Sequence, residues 1–226
     1  MSEFKLVVFD WDGTLMDSQA RIVACLRAAV MDVGITARSD DQYRNIIGLG
    51  LGEAMQSLFP EHSSGTHAAL VERYRHHFLG ANATPSTLFA GAEETVRNLA
   101  ERGLFLAVAT GKGRNGLDRV LADTGLGKWF HTTRCADETF SKPHPQMLLE
   151  IMDVLGVEPR ETLMVGDTEY DMELARNAGT HALAVSYGVH AVDRLLAHDP
   201  LGCIDDIREL ISWIDTRPAT VGRANN

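Results

Sequence analysis

Short apolar runs alternate along most of this chain with helical patterns and glycine-containing turns. A run at residues 5–9 ends at Asp10, and another at residues 104–110 ends at Thr110-Gly111. Continuous apolar runs of this length, bounded by turn residues, are typical of buried strands. Three further runs predict strands at residues 130–135, 162–166 and 181–185.

Between these strands lie amphipathic stretches that end at glycines, as helices commonly do. The stretch at residues 145–155 begins with Pro145 and is followed by Gly156, which is the asymmetry expected of a helix. Strands that alternate with helices predict a three-layer, doubly wound α/β fold with about five parallel strands. The predicted helices of this part of the chain are residues 92–102, 116–124, 145–155 and 171–178.

Residues 17–86 interrupt the alternation, because only helical patterns occur there. We expect an inserted helical cap at residues 17–86 and an α/β catalytic core made of residues 1–16 and 87–215. Hinges are expected at residues 16–18 and 85–87, and the small, polar tail of residues 216–226 is expected to be disordered. The predicted cap helices are residues 18–33, 40–47, 51–59 and 66–79.

Composition excludes several classes of function. The 226 residues are 45% hydrophobic and 23% charged, as in ordinary globular proteins, and the net charge of −10 argues against a nucleic-acid surface. No apolar run approaches the ~20 residues of a membrane span, and residues 1–9 show no signal-peptide pattern. The three widely spaced cysteines predict reduced thiols and a cytoplasmic protein, for which we expect a monomer or a homodimer. The nine histidines form no zinc motif.

Two carboxylates follow the first predicted strand, since Asp10 and Asp12 are separated by one residue. Open α/β sheets bind ligands at the carboxyl ends of their strands. Two carboxylates this close repel one another unless a cation or a shared proton relieves them. The pair therefore predicts a site for a hard metal ion, a nucleophile with an acid/base partner, or both.

Further polar groups are expected at the same edge of the sheet. Thr110 follows the second strand, Lys142 lies in the loop after the third, and Asp167 and Asp171 follow the fourth. Carboxylate oxygens suit Mg²⁺, whereas a lysine, a hydroxyl and backbone amides suit phosphoryl oxygens. Each motif alone is ordinary, because Lys-Pro is usually a surface loop and Gly-Asp before a helix is often only an N-cap. Their order and placement together favour a metal-assisted phosphoryl site.

The chain resembles the haloacid dehalogenase-like (HAD) hydrolase superfamily, in its phosphatase branch with a helical cap. The resemblance extends from about residue 3 to about residue 190. It implies a Mg²⁺-dependent phosphatase acting on a small phosphorylated metabolite, similar to phosphoglycolate phosphatases, although sugar phosphates, nucleotides and pyrophosphate stay open as substrates. Four motifs carry it, in order: Asp10-Trp-Asp12-Gly-Thr14-Leu15, Thr110-Gly111, Lys142-Pro143 and Gly166-Asp167-Thr-Glu-Tyr-Asp171.

The resemblance also implies a role for each residue. Asp10 is expected to be the nucleophile that forms an aspartyl-phosphate, and Asp12 the general acid and then the base. An oxygen of Asp10, the backbone carbonyl of Asp12 and Asp167 are expected to bind Mg²⁺, with Asp171 supporting them directly or through water. The phosphate-binding residues implied are Thr110, Gly111 and Lys142.

Departures from the family pattern narrow the reaction. Asp12 argues against true dehalogenases, which lack this aspartate, and against phosphonate-cleaving relatives, which have alanine there. Mutase relatives carry a histidine on the first cap helix, where this chain has Ile22. A phosphotransferase or mutase therefore stays as an alternative, and a non-catalytic binding protein as a remote one. The segment Gly48-Leu-Gly50-Leu-Gly52 is equally compatible with a loop over the active site and with a simple turn.

Two aromatic residues inside the motifs carry no assigned chemistry. Trp11, which lies between the two aspartates, is expected to point into the core because neighbours on an extended chain alternate. Tyr170 is compatible both with packing and with a position at the site.

Overall fold

A parallel sheet forms the centre of the structure, a computed structural model that describes residues 4–216. The strands within that range are β1 (Leu6–Phe9), β2 (Met16–Asp17), β3 (Thr87–Leu88), β4 (Phe105–Thr110), β5 (Thr132–Cys135), β6 (Thr162–Gly166), β7 (His181–Val185) and β8 (Cys203–Ile204). Six of these described strands make up the main sheet, in the order β5-β4-β1-β6-β7-β8, and all of its ladders are parallel. The predicted α/β class is confirmed.

The sheet has one strand more than the expected five. The additional strand is β8, which has only two residues and pairs with the end of β7. A strand this short has no apolar run of its own, and its place in the sheet depends on pairing with β7. The other predicted strands of the main sheet are confirmed, and the bounds of β6 and β7 agree with the predicted ones.

Helices connect the strands and cover both faces of the sheet. The described α-helices are α1 (Gln19–Val33), α2 (Asp40–Asn45), α3 (Leu51–Leu58), α4 (Ser64–His76), α5 (Ala92–Glu101), α6 (Arg114–Thr124), α7 (Gln146–Leu155), α8 (Glu169–Ala178), α9 (Val192–Leu196) and α10 (Glu209–Asp215). A π-helical turn, His77–Ala81, follows α4, so the helix predicted at residues 66–79 begins two residues earlier and ends in a widened turn. No helix in the described part of the chain is long and apolar enough to cross a membrane.

Alternation along β1 divides the core into two layers. Val7 and Phe9 pack on one face of the sheet, whereas Leu6 and Val8 pack on the other. Trp11 continues the first set and is fully buried, as expected. Helices α5 and α10 cover the Val7 face, and α7 and α8 cover the Leu6 face. The strand that precedes Asp10 is therefore buried on both faces and flanked by β4 and β6.

Helices α1 to α4 bury a third hydrophobic cluster of their own, which includes Leu26, Met55 and Leu70. Where this helical segment leaves and rejoins the rest of the chain, β2 and β3 pair antiparallel, with Met16 opposite Leu88. The predicted hinges lie at this two-stranded ribbon. The division into a core and a cap stays a prediction, and residues 217–226 of the predicted disordered tail lie outside the described residues.

Candidate active site

Three carboxylates meet at the carboxyl edge of the sheet. Asp10 follows β1, Asp167 follows the neighbouring strand β6, and Asp171 lies in the first turn of α8. One oxygen from each carboxylate lies within 4.8 Å of the others, and all three residues are buried. The group consists of carboxylates alone, so its donors are all oxygen atoms.

Asp10 lines the cavity described below and is almost fully buried. Its backbone N–H donates to Val165 O at 3.0 Å, which fixes the end of β1 against β6. Its Oδ1 lies 2.9 Å from Lys142 Nζ, whereas its Oδ2 has no hydrogen-bond partner among residues 4–216. Burial raises the pKa of Asp10 to about 7, although Lys142 acts in the opposite direction. A buried carboxylate oxygen without a donor is what a metal ion or a phosphorus centre would engage.

Lys142 holds two of the carboxylates together. Its ammonium lies 2.9 Å from Asp10 Oδ1 and 2.6 Å from Asp171 Oδ1, and its side chain is fully buried. Burial by itself lowers the pKa of Lys142, but the charges of Asp10 and Asp171 outweigh it and raise the pKa above its ordinary value. The Lys142–Pro143 peptide bond is cis. Lys142 thus stays charged and fixes the position of Asp10.

Donors from two other segments orient Asp167. Thr14 Oγ1 donates to Asp167 Oδ1 at 2.8 Å, and the backbone N–H of Val189 donates to Oδ2 at 2.9 Å. Tyr187 in turn donates its hydroxyl to the carbonyl of Thr14 at 2.9 Å. Burial, followed by the charges of Asp10 and Asp171, raises the pKa of Asp167 well above its ordinary value. The carboxylates therefore repel one another enough to favour a bound cation.

Asp167 and Asp171 are four residues apart but do not lie on the same helix. The N-cap of α8 is Thr168, whose side chain accepts from the backbone N–H of Asp171, so Asp167 lies outside the helix. Asp171 Oδ2 accepts from Thr168 N at 3.0 Å and completes a capping box. The two carboxylates are nevertheless close together, as expected, because the end of β6 and the start of α8 both lie beside Asp10.

The carboxylate of Asp12 turns away from this acidic group. Its Oδ1 accepts a short hydrogen bond from Ser18 Oγ and lies 3.0 Å from Lys112 Nζ. Sequence reasoning did not single out Ser18 or Lys112. Lys112 comes two residues after Thr110 at a strand end, which is the signal that could have found it. Ser18 lay within the predicted hinge, and nothing in its sequence context marks it as a partner of Asp12.

The glycine-containing segment at residues 48–52, whose last two residues begin α3, lies over the end of β4. A Cβ added at Gly111 would lie 2.5 Å from the carbonyl oxygen of Leu49 and 2.6 Å from that of Gly48, so a side chain has no room there. Gly50 N donates to Ser141 Oγ at 2.7 Å, beside Lys142. Of the two interpretations of this segment, the loop over the site is the one observed, although it also connects two helices.

Two further contacts link Asn45, at the end of α2, with the helices α8 and α9. The Tyr170 hydroxyl donates to the carbonyl of Asn45 at 2.8 Å, and Arg194 Nη1 donates to Asn45 Oδ1 at 2.5 Å. Tyr170 therefore neither enters the acidic group nor fills the core; it contacts the helical segment above the sheet.

A cavity of about 180 Å³ opens beside Asp10 and Asp12. Thr110, Gly111 and Lys112 form its floor on the sheet side, and Thr110 Oγ1 accepts from the backbone N–H of Lys112 at 3.2 Å. The upper walls come from α1, from the loop at residues 46–49, from α3 and from the region of α4 and the π-helical turn. Of the predicted site residues, Asp10, Asp12, Thr110 and Gly111 line this cavity, whereas Lys142, Asp167 and Asp171 lie behind Asp10.

Comparison with known proteins identifies the family. A family model described as haloacid dehalogenase-like hydrolase matches residues 7–185. The chain belongs to this family. A curated relative from Dickeya dadantii (strain 3937), named "Probable phosphatase IndB", is 34% identical, with 91% of each chain covered. A phosphoglycolate phosphatase from Vibrio vulnificus (strain CMCP6) is 30% identical, with 94% of this chain and 96% of the relative covered.

Solved structures agree with the fold. A hydrolase from Pseudomonas syringae matches with a TM-score of 0.85 at 23% identity, covering 93% of this chain and 98% of that chain. A haloacid dehalogenase-like family hydrolase from Streptococcus pneumoniae matches with a TM-score of 0.82 at 20% identity, covering 94% and 99%. The resemblance inferred from the four motifs is confirmed, and so is the assignment of the chain to the phosphatases of this hydrolase family.

The buried acidic group gives the metal-free protein a specific pH dependence. Asp10 has a pKa of about 7 when folded and 3.8 as an isolated group, so the folded state binds its proton more tightly. This contribution to stability is complete below pH 3.8 and is lost as pH rises through about 7, where stability levels off. We therefore expect the free energy of unfolding, measured with urea in EDTA, to contain a component that falls between pH 5 and pH 8.

The Asp10→Asn variant isolates this component. Burial lowers the pKa of His190, which acts in the opposite direction over part of the same range, so the wild-type curve alone is not decisive. Relative to wild type, Asp10→Asn is expected to become progressively more stable as pH rises from 5 to 8. A difference between the two proteins that does not change with pH contradicts the prediction.

Proposed function

We propose that the protein is a Mg²⁺-dependent phosphatase that hydrolyses a small phosphomonoester through an aspartyl-phosphate on Asp10. The observation that carries the proposal is the position of Asp10, which joins the acidic group on one side and the cavity on the other. Family membership and the names of the curated relatives support the reaction class. Phosphoglycolate is a candidate substrate because several relatives carry that name.

The donor set fits a hard divalent cation. When ionised, the carboxylates of Asp10, Asp167 and Asp171 together with Lys142 leave two uncompensated negative charges. We propose Asp10 and Asp167 as direct ligands, with the backbone carbonyl of Asp12 beside them, because oxygen donors are those that Mg²⁺ prefers. Both oxygens of Asp171 already accept hydrogen bonds, so we assign it to holding Lys142 and the start of α8. The bound cation would supply electrostatic stabilisation of the phosphoryl oxygens.

In the first step, an oxygen of Asp10 attacks phosphorus while the bond from phosphorus to the leaving oxygen breaks. Asp12, in its protonated form, gives its proton to the leaving alkoxide, and the alcohol departs. Ser18 and Lys112 hold the Asp12 carboxyl beside the cavity, and Thr110 together with the amides near Gly111 would receive the phosphoryl oxygens. Lys142 keeps Asp10 in place behind the reacting centre.

In the second step, Asp12 accepts a proton from water, and the resulting hydroxide attacks phosphorus of the aspartyl-phosphate. The bond between phosphorus and Asp10 breaks, which releases inorganic phosphate, restores the Asp10 carboxylate and leaves Asp12 protonated for the next turnover. We infer that residues 17–86 act as a cap that closes over this chemistry and excludes water, because their 48–52 loop packs directly on Gly111.

A phosphotransferase or mutase is the alternative, in which an acceptor hydroxyl replaces water. Ile22 lines the cavity at the position where mutase relatives carry a histidine, and its side chain cannot exchange a proton. This favours transfer to water, and product analysis by phosphorus NMR distinguishes inorganic phosphate from a rearranged ester.

The test of the proposal is release of phosphate from a panel of small phosphomonoesters with and without metal. We expect activity with Mg²⁺, complete loss in EDTA, and recovery when Mg²⁺ is added back in excess. In Asp167→Asn, the Mg²⁺ concentration for half-maximal rate is expected to rise at least about tenfold. Asp118→Asn, at an exposed carboxylate of α6, is the matched control and is expected to leave it unchanged. Full activity in EDTA, or an unchanged Mg²⁺ requirement in Asp167→Asn, contradicts the proposed metal site.

A further inference from the structure

The walls of the cavity above Asp10 and Asp12 are largely apolar. Ile22 and Leu26 contribute from α1, Ile47 from the following loop, and Leu51 from the start of α3. Phe78, in the π-helical turn, adds an aromatic ring. Whatever group is esterified to the phosphate must occupy this space while phosphorus lies beside Asp10. Apolar walls favour a leaving group with apolar surface.

The positively charged side chains near the cavity either form ion pairs with carboxylates of the protein or lie at the edge of the cavity. Lys112 is paired with Asp12 at 3.0 Å, and its ammonium also lies 4.3 Å from the centre of the Phe78 ring. Lys142 is enclosed between Asp10 and Asp171 and does not line the cavity. Among the described lining residues this leaves Arg75, which is exposed at the rim. A carboxylate on the leaving group, in addition to the phosphate, would therefore face apolar walls without a buried partner, which is strongly unfavourable.

A tyrosine hydroxyl group in these walls makes no hydrogen bond within the described part of the chain. Tyr74, in α4, stacks its ring on Phe78 with 5.6 Å between ring centres, and it lines the cavity. Its hydroxyl has no hydrogen-bond partner among residues 4–216, although the residue is 8% exposed. The hydroxyl oxygen is accessible to solvent and not sealed in the protein, and its residue lines the cavity. A ligand in the cavity is the partner that the described residues do not supply.

We propose that the substrate is the phosphate ester of an uncharged, ring-bearing alcohol whose ring carries a hydrogen-bonding edge, and that Tyr74 positions this edge. The inference rests on the phosphatase function proposed above and specifies its substrate class. The volume agrees, since about 180 Å³ exceeds the ~150 Å³ in which a benzene molecule is held in an engineered protein cavity. A short ester such as phosphoglycolate, which carries a carboxylate in addition to its phosphate, leaves the apolar walls unfilled and that carboxylate unpaired.

Three esters test the substrate class directly: benzyl phosphate, phosphoglycolate and glycerol phosphate, compared at saturating Mg²⁺. We expect kcat/KM for benzyl phosphate to exceed that for each of the other two by about tenfold or more, mainly through KM. Benzyl phosphate and phosphoglycolate differ both in the ring and in the carboxylate charge. Glycerol phosphate separates these two effects, because it has no charge beyond its phosphate and no ring. A kcat/KM for phosphoglycolate equal to or above that for benzyl phosphate overturns the proposal.

Tyr74 is tested with a pair of substrates that differ by one ring atom. Pyridylmethyl phosphate carries a hydrogen-bond acceptor that benzyl phosphate lacks. We expect Tyr74→Phe to raise KM for the pyridyl ester about tenfold and to leave KM for benzyl phosphate nearly unchanged. A purely structural role would alter both esters equally, and that result overturns the assignment of Tyr74. Tyr43→Phe is the matched control, since the Tyr43 hydroxyl accepts from Arg38 N outside the cavity.

Charge selection is tested with Leu51→Arg, which places a cation in the half-buried wall. We expect the ratio of kcat/KM for phosphoglycolate to that for benzyl phosphate to rise about tenfold or more. Met31→Arg adds the same charge on the exposed side of α1 and is expected to leave the ratio unchanged. An unchanged ratio in Leu51→Arg contradicts the proposed orientation of the leaving group.

A binding measurement tests the proposed substrate class independently of the proposed phosphatase activity. If no ester releases phosphate, the phosphatase function fails, and calorimetry with Asp10→Asn protein still compares the two ligands. Tighter binding of benzyl phosphate than of phosphoglycolate then supports the apolar, ring-binding cavity. Equal or weaker binding of benzyl phosphate overturns it.

Discussion

Replacing Asp10 with asparagine is expected to abolish phosphate release, with a loss of kcat on the order of 10⁴-fold or more. An oxygen of Asp10 would form the bond to phosphorus in the covalent intermediate, and an amide oxygen is a far weaker nucleophile than a carboxylate. The Asp10 carboxylate also supplies one of the three negative charges that favour the metal ion. The substitution therefore removes the bond-forming group and weakens the bound cation together. The measurement is steady-state phosphate release with Mg²⁺ on the best ester of the panel.

Two controls make this result specific. Asparagine is close in shape to aspartate, and the Asp10→Asn variant removes a buried charge, so the midpoint of thermal unfolding is expected to be kept or raised in EDTA. Asp41→Asn, at an exposed carboxylate of α2, is the matched substitution and is expected to retain full activity. Mass spectrometry before and after the assay excludes deamidation back to aspartate. Residual activity within tenfold of wild type would show that Asp10 is not the nucleophile.

Replacing Lys142 with methionine is expected to lower the free energy of unfolding by about 3–5 kcal/mol at pH 8. Methionine fills a similar volume, so the loss comes from charge: Asp10 and Asp171 are left buried without the ammonium that contacts both. The loss should be smaller at pH 5, because the carboxyl of Asp10 then takes up a proton instead of remaining charged. Urea unfolding in EDTA at the two pH values is the measurement, and phosphate release should be lost as well.

Lys5→Met is the matched control for this prediction. Lys5 also forms an ion pair, with Glu161 at 2.6 Å, but its side chain is 63% exposed. Exposed pairs contribute little because water solvates both charges. We therefore expect Lys5→Met to change the unfolding curve little at either pH. If Lys142→Met lowers the free energy of unfolding as little as Lys5→Met does, then the contacts of Lys142 with Asp10 and Asp171 do not stabilise the fold. That result contradicts the prediction.

The sequence predicted the ends of β1 and β6 well because these central strands of the main sheet are buried on both faces. A strand such as β6 is then a continuous apolar run, and its end is marked by the first charged residue, Asp167. The same reasoning placed Asp10 at the end of β1. Since parallel strands expose their carboxyl ends at one edge, the convergence of the carboxylates followed from topology alone.

Other features depend on tertiary contacts that a linear pattern does not contain. Lys112 belongs to the site because its long side chain reaches Asp12, and Ser18 because β2 places it there. Lys142 contacts two carboxylates, which the sequence did not show, and its part in binding phosphoryl oxygens stays a prediction. The two-residue strand β8 exists through pairing with β7 and not through its own composition. Such features are set by side-chain reach and pairing, which single-sequence patterns do not encode.

The central position of β1 has a consequence for synthesis of the chain. Leu6–Phe9 leave the ribosome before their first partner, β4, which is added only after the helices α1 to α5. The second partner, β6, is added later still. Until then an apolar segment has both edges unpaired, which is the situation in which strands associate with the wrong chain. The helices inserted between β1 and β4 can bury their own cluster in the meantime, so the nascent chain has a locally folded unit before its active-site strand is enclosed.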